Sequence, residues 1–310
     1  MHKGITHVSA GNKNFTNPGS EKKFDPGIKV NAYRTRTRLY VILLRFITLV
    51  PTHRRMKSPI VVIGIGEMGG VFARGLLRAG YPVYPVKRDT DIAALAQQLP
   101  APELVLVAVA ENSLHGILES LPTAWHDRIA LLQNELLPAD WEHYGFSSPT
   151  VISVWFEKKK GQDVKVLIPS PVFGPHADVL VKALLTLDIP TRVLADHEAL
   201  LFELVVKNVY IVTTNCAGLV TGGTVRELWE QHRELAEAVA REVIEIQSAL
   251  TGTSLDADEL IKAMLVAFEG DPAHGCMGRS APARLARALQ QADAAGVSVP
   301  RLREIASQQA

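Results

Sequence analysis

Hydrophobic positions along this chain change their period once, near residue 195. Before that point, uninterrupted apolar runs at Ile60–Ile63, Leu104–Val109 and Ile129–Leu132 read as strands buried on both faces. Amphipathic stretches separate them. Val71, Phe72, Leu76 and Leu77 mark one face of a helix that stops at Gly80 and Pro82, where a further strand begins. Asp91–Leu99, with Ile92, Leu95 and Leu99 on one face, and Ser113–Leu121 predict two more helices. The alternation predicts an α/β fold built on a parallel, doubly wound Rossmann sheet. Val151–Phe156 and Val164–Ile168, joined by KKKGQD, are expected to pair as an antiparallel hairpin with Lys158–Lys160 at a solvated tip. A helix at His176–Leu187 and a strand at Thr191–Leu194 end the alternation.

Beyond Ala195 only the helical period remains, over His197–Leu219, Thr224–Leu250, Asp256–Phe268 and Ala281–Ala295. The second helix opens on a capping box, Thr224-Val225-Arg226-Glu227. The expected organisation is a basic extension over 1–58, a Rossmann domain over 59–195 and an all-helical domain over 196–310. Ala195–Asp196 would be the hinge, with a substrate cleft between the two domains.

Charge sets the extension apart. Residues 1–58 hold 12 Lys+Arg against 2 Asp+Glu, which leaves 21 against 30 in the rest and hides a strong asymmetry behind a net charge of +1. No helix or strand period runs through the first thirty-odd residues, and they read as disordered. Leu39–Val50 is apolar but short and interrupted by Arg45, so it is not expected to span a bilayer of ~30 Å. Met56 stands just before the first strand, and 1–55 read as an over-long start. A basic arm for nucleic acid is disfavoured, since no aromatic residues interleave with the cations. The whole chain, with 47% apolar and 21% charged residues, is expected to be an ordinary soluble globule. Cys216 and Cys276 form no C-x-x-C, which favours a reducing cytoplasm and no zinc. His115, His126 and His143 lack ligand spacing, and neither H-E-x-x-H nor G-x-S-x-G occurs, so no metal or serine-hydrolase chemistry is expected.

Two clusters point to chemistry. In the first, Gly64-Ile65-Gly66-Glu67-Met68-Gly69 sits between a strand and a helix, the context a dinucleotide turn requires. Gly64 would make the tight turn, Gly66 would admit a pyrophosphate, and Gly69 would let the helix pack on the strand. About twenty residues on, the second strand ends in Lys87-Arg88, a cationic pair suited to a 2′-phosphate, so NADP(H) is preferred to NAD. Asp89 beside them leaves a ribose contact open. The second cluster is the apolar helix VVKNVYIVTTNCAGL, in which Lys207 and Asn215 stand eight positions apart and can face one cleft. A buried Lys207 would lose its proton readily and could act as a general acid; an exposed one would pair with Glu203. Asn134, after the fourth strand, is open between a ligand contact and a turn residue.

The glycine turn, Arg88, Asn134, the K-N-V-Y-I-V-T-T-N-C-A-G-L helix and the ending A-A-G-V-S-V-P (Ala294–Pro300) resemble, in that order, the ketopantoate reductase family. The resemblance implies NADPH-dependent reduction of a 2-keto acid to a 2-hydroxy acid, with Lys207 as proton donor, Asn134 and Asn215 as binding residues, and a small-molecule substrate in a homodimeric enzyme. Three positions depart from that pattern. Ile211 stands where an Asn is usual, Glu135 follows Asn134 where Gly is usual, and Ser280 occupies the place of the catalytic glutamate, where it would be a substrate contact. The nearby DPAHGCMGRS offers Asp271 and His274 as titratable alternatives. G-I-G-E-M-G followed by L-L-R-A-G-Y-P-V is also similar to the β-hydroxyacid dehydrogenase superfamily, through Met68, and a non-catalytic NADP(H)-binding sensor is the third reading.

Overall fold

The computed structural model describes residues Met56–Gln309. The readings made for 1–55, including the apolar run Leu39–Val50 and nearly all of the basic extension, lie outside the described residues. Met56–Ala310 forms one compact unit.

Its first part is a seven-stranded sheet. Strands β1 (Ile60–Ile63), β2 (Val83–Val86), β3 (Leu104–Val107), β4 (Ile129–Leu131) and β5 (Thr150–Ile152) run parallel in the order β2-β1-β3-β4-β5. All four residues of β1 and of β3 are buried, as uninterrupted apolar runs require of a sheet covered on both faces. Ile60 and Val62 meet helices α1 (Glu67–Arg78) and α5 (Ala177–Leu185) on one face. Val61 and Ile63 meet α2 (Ile92–Gln98), α3 (Leu114–Ser120) and the fully buried Trp125 on the other. Pro85 lies in β2, an edge strand bonded on one side only, where a residue without an N–H is tolerated. Helices α1 and α5 cross closely at Gly75, where an added Cβ would come within 2.6 Å of the Ala183 carbonyl oxygen.

After α4 (Pro138–Glu142) the expected hairpin is only half realised. β6 (Phe156–Glu157) and β7 (Lys165–Val166) do pair antiparallel, but β5 belongs to the main sheet and pairs there with β8 (Ser170–Phe173), a strand the periodicity does not predict. Only two residue pairs form each ladder of this region, because Ser153–Trp155 turn the chain from one sheet into the other. β9 (Thr191–Val193) adds to β8 in parallel.

The remainder is helical: α6 (His197–Thr221), α7 (Val225–Gln231), α8 (Arg233–Thr251), α9 (Ala257–Gly270), α10 (Ala281–Ala295) and α11 (Pro300–Ser307). Asp196 caps α6 by accepting the Ala199 N–H, and Thr224 and Glu227 form the reciprocal capping box. The helix expected over Thr224–Leu250 breaks at His232, and α11 was not expected. Helix α6 is the only described helix long and apolar enough to cross a membrane, yet two thirds of its most apolar 18-residue stretch is buried, packed with α8, α9 and α10, so it is the core of this half.

Candidate functional site

A cavity of about 520 Å³ opens beyond the carboxyl ends of β1, β3 and β4, against the flank of α6. That edge of an open parallel sheet is where ligands bind. Its floor starts at the glycine turn. Gly64 has φ +94, a left-handed conformation that disfavours a side chain, and a Cβ there would lie 2.6 Å from the Ala108 carbonyl oxygen. A Cβ on Gly69 would come within 1.9 Å of the Gly64 carbonyl oxygen, so the first turn of α1 packs against the turn itself. Gly66 differs: an added Cβ would meet no atom within 4 Å. Its bareness serves the cavity it lines and not the packing of the chain. Gly66 also caps α1 without a side-chain acceptor, which leaves first-turn N–H groups for an anion. The Gly64 N–H donates to the Val86 carbonyl at 3.0 Å, so the exposed Lys87 and Arg88 stand beside the glycine turn, outside the cavity proper. Glu67 and Met68 line the cavity; Ile65 is exposed and does not. An uncapped helix start and a bare glycine fit a dinucleotide phosphate chain, and two cations one strand over, which form no ion pair among the described residues, fit a 2′-phosphate.

Lys207 enters from α6. Its Nζ lies 4.0 Å from the centre of the Trp155 ring and 5.7 Å from that of Tyr210. Burial brings the ammonium down to about 7, and the Arg284 cation adds to the shift. The surface pairing with Glu203 is not formed; Glu203 binds Arg192 at 2.6 Å instead. Trp155 Nε1 and the Tyr210 hydroxyl, both buried and without a hydrogen-bond partner among the described residues, leave two unspent polar groups near the amine. Asn215 lines the same cavity two turns along α6, as does Ile211 between them.

The opposite wall is held by a charged network. Arg284, 6% exposed, donates from Nε to Glu135 (2.9 Å), from Nη1 to Asn215 (3.0 Å) and from Nη2 to Glu111 (2.9 Å). Arg287 makes a second, bidentate contact to Glu135. Asn134 also lines the cavity and donates to Glu111 at 3.0 Å. Burial alone would raise Glu111, but hydrogen bonds from its own backbone and from Asn134, together with Arg284 and Arg287, hold its carboxyl below the ordinary value. Glu135 has φ +61, a conformation natural to the glycine usual at that position.

Two sequence expectations are corrected here. Ser280 is exposed at the N-cap of α10 and does not line the cavity; the helix turns Arg284 inward in its place. Arg284 was legible as a cation on the apolar face formed by Ala281, Leu285, Ala288 and Ala292. Lys158 and Lys159 are not merely a solvated tip, since both line the cavity mouth and Lys158 lies 3.7 Å from Glu67. Glu111, Trp155 and Tyr210 carried no sequence signal as site residues.

Neither a family sequence model nor a curated protein sequence matches this chain. Solved structures do. The fold is that of the ketopantoate reductases. A 2-dehydropantoate 2-reductase from Methylococcus capsulatus superposes with a TM-score of 0.59 at 14% identity, over 81% of this chain and 95% of its own. A dimeric ketopantoate reductase from Staphylococcus aureus gives 0.55 at 15% identity, over 80% and 96%. A D-mandelate dehydrogenase in complex with NADH gives 0.58 at 14% identity, over 80% and 96%. The ketopantoate reductase fold thus accounts for both the sheet and the helical half, at identities that leave the chemistry to be argued from this chain's own residues.

Proposed function

We propose that this protein is an NADPH-dependent reductase that converts a 2-keto acid to the 2-hydroxy acid, the activity carried by the names of most of its structural neighbours. The observation that carries the reading is Lys207, an amine brought to about 7 inside the cavity that the glycine turn opens into. Gly64, Gly66 and Gly69 would admit the pyrophosphate to the start of α1, and Lys87 and Arg88 would hold the 2′-phosphate. The cofactor, when bound, supplies hydride. The chain's own task is to stabilise the charge that develops on the substrate oxygen and to give that oxygen a proton. Lys207 does both, as a cation at the cavity wall and as a donor poised near neutrality. Asn134, which donates to Glu111, and Asn215, which accepts from Arg284 and donates to the Cys276 carbonyl at 3.2 Å, would turn their remaining amide valences to the substrate. The division into domains at 59–195 and 196–310, a cytoplasmic homodimer and a small-molecule substrate belong to the same reading.

Titration of the purified chain with NADPH and NADH, followed by NADPH oxidation across a panel of 2-keto acids, tests it. Selective NADPH binding with turnover of one panel member is expected. Tighter NADH binding overturns the 2′-phosphate argument, and binding without turnover on any member would leave a cofactor-binding protein in place of an enzyme.

A further inference from the structure

The loop between α9 and α10 brings His274 to the wall of the Lys207 cavity. This loop is pinned. The His274 N–H donates to the Asp271 carbonyl at 2.9 Å, its carbonyl accepts from Val225 at 2.8 Å, and Gly275 bridges to Thr224. The ring is held as well. Nδ1 lies 3.5 Å from Oδ2 of Asp271, a buried carboxylate that also contacts Lys165 at 2.6 Å, and the ring centre stands 6.3 Å from that of Tyr210. Among the described residues Asp271 Oδ2 contacts the Lys165 ammonium and lies near His274 Nδ1 but receives no well-aligned hydrogen bond, so Nδ1 stands beside its negative charge. With Nδ1 protonated toward Asp271, Nε2 is the free nitrogen. The His274 side chain keeps 22% of its surface exposed, so one residue touches both cavity and water.

That arrangement answers a problem the proposed reaction creates. Once Lys207 has given its proton to the substrate oxygen, the neutral amine must regain one before the next turnover.

We propose that His274, positioned by Asp271, is the proton port of this site, passing protons from solvent to Lys207. The step balances: the N–H bond of the imidazolium breaks, the Lys207 lone pair takes the proton, and the imidazole regains one from water. Burial lowers His274 from its ordinary value, Glu157 and Asp271 oppose this, and the Lys207 and Lys159 cations reinforce it, so charge on Lys207 is felt at His274.

This inference rests on the reductase reading, and NMR separates the two. In the full chain, the His274 imidazole nitrogens, assigned by difference from His274→Gln, are titrated without substrate. Lys207→Met should move the His274 midpoint up, and Asp271→Asn should move it down. A midpoint unmoved by both substitutions overturns the port. On whichever keto acid the panel supplies, His274→Gln should lose roughly tenfold to a hundredfold in kcat, by the usual range for proton transfer. NADPH affinity should stay unchanged, and added imidazole should restore part of the rate. Wild-type turnover with an unaltered pH profile in His274→Gln sinks the port and spares the reductase; no turnover in wild type sinks the reductase, while the NMR midpoints still decide whether His274 is coupled to Lys207.

Discussion

A buried amine with the Arg284 cation near it is disfavoured in its charged form, and the rings of Trp155 and Tyr210 only partly offset this. The folded chain holds Lys207 at about 7, against an ordinary 10.5. Between those values the unfolded state binds the extra proton, so stability rises with pH through that window, and the penalty is fully present below about 7. Lys207→Met should therefore stabilise the protein, by more at about pH 6 than at about pH 11, in urea denaturation. Equal gains at both would put the amine in water. Its kinetic counterpart is Lys207→Ala, expected to lower kcat roughly a hundredfold or more with NADPH affinity nearly intact; unchanged turnover would return the lysine to a packing role. The sequence left this residue between two states because an apolar helix flanked by Glu203 supports either. What decided it was Arg192, eleven residues before Glu203, which takes the carboxylate away. Pairings between distant segments of that kind leave no trace in local spacing.

The glycine turn gives a pair of contrasting substitutions at the scale of one element. Gly69→Ala puts a methyl group 1.9 Å from a carbonyl oxygen in the turn, so the start of α1 must shift and the melting temperature should fall markedly. Gly66→Ala meets nothing in the protein, and should leave the melting temperature unchanged while weakening NADPH binding tenfold or more, measured by fluorescence titration. A Gly66→Ala protein that binds cofactor normally would remove the phosphate chain from this turn. Elements of this kind were legible, since β1, β3 and β4 are buried on both faces and their apolar runs say so. The region from Thr150 to Phe173 was not. There one apolar run serves two sheets in succession, and Pro171 within Ser170–Phe173 reads as a break although it lies in a strand of the main sheet. A period reports burial and is silent on which neighbour does the burying.

Across the whole molecule, Arg284 ties the loops after β3 and β4 to α6 through Glu111, Glu135 and Asn215. Arg284→Met should destabilise by about 3 kcal/mol in urea denaturation, the scale expected when one partner of a buried ion pair is removed. A loss below about 1 kcal/mol would show that solvent already screens the two glutamates. The general architecture was readable from the change of period near 195, but this network was not, because its members lie 149 and 173 positions apart for the two ion pairs of Arg284. The same rivet has a consequence in time. Three charge-assisted bonds must break together before the walls of the cavity can separate there, whereas the β6–β7 ladder beside Lys158 and Lys159 rests on two residue pairs. Backbone amides flanking Glu135 should therefore exchange with deuterium far more slowly than those of the hairpin.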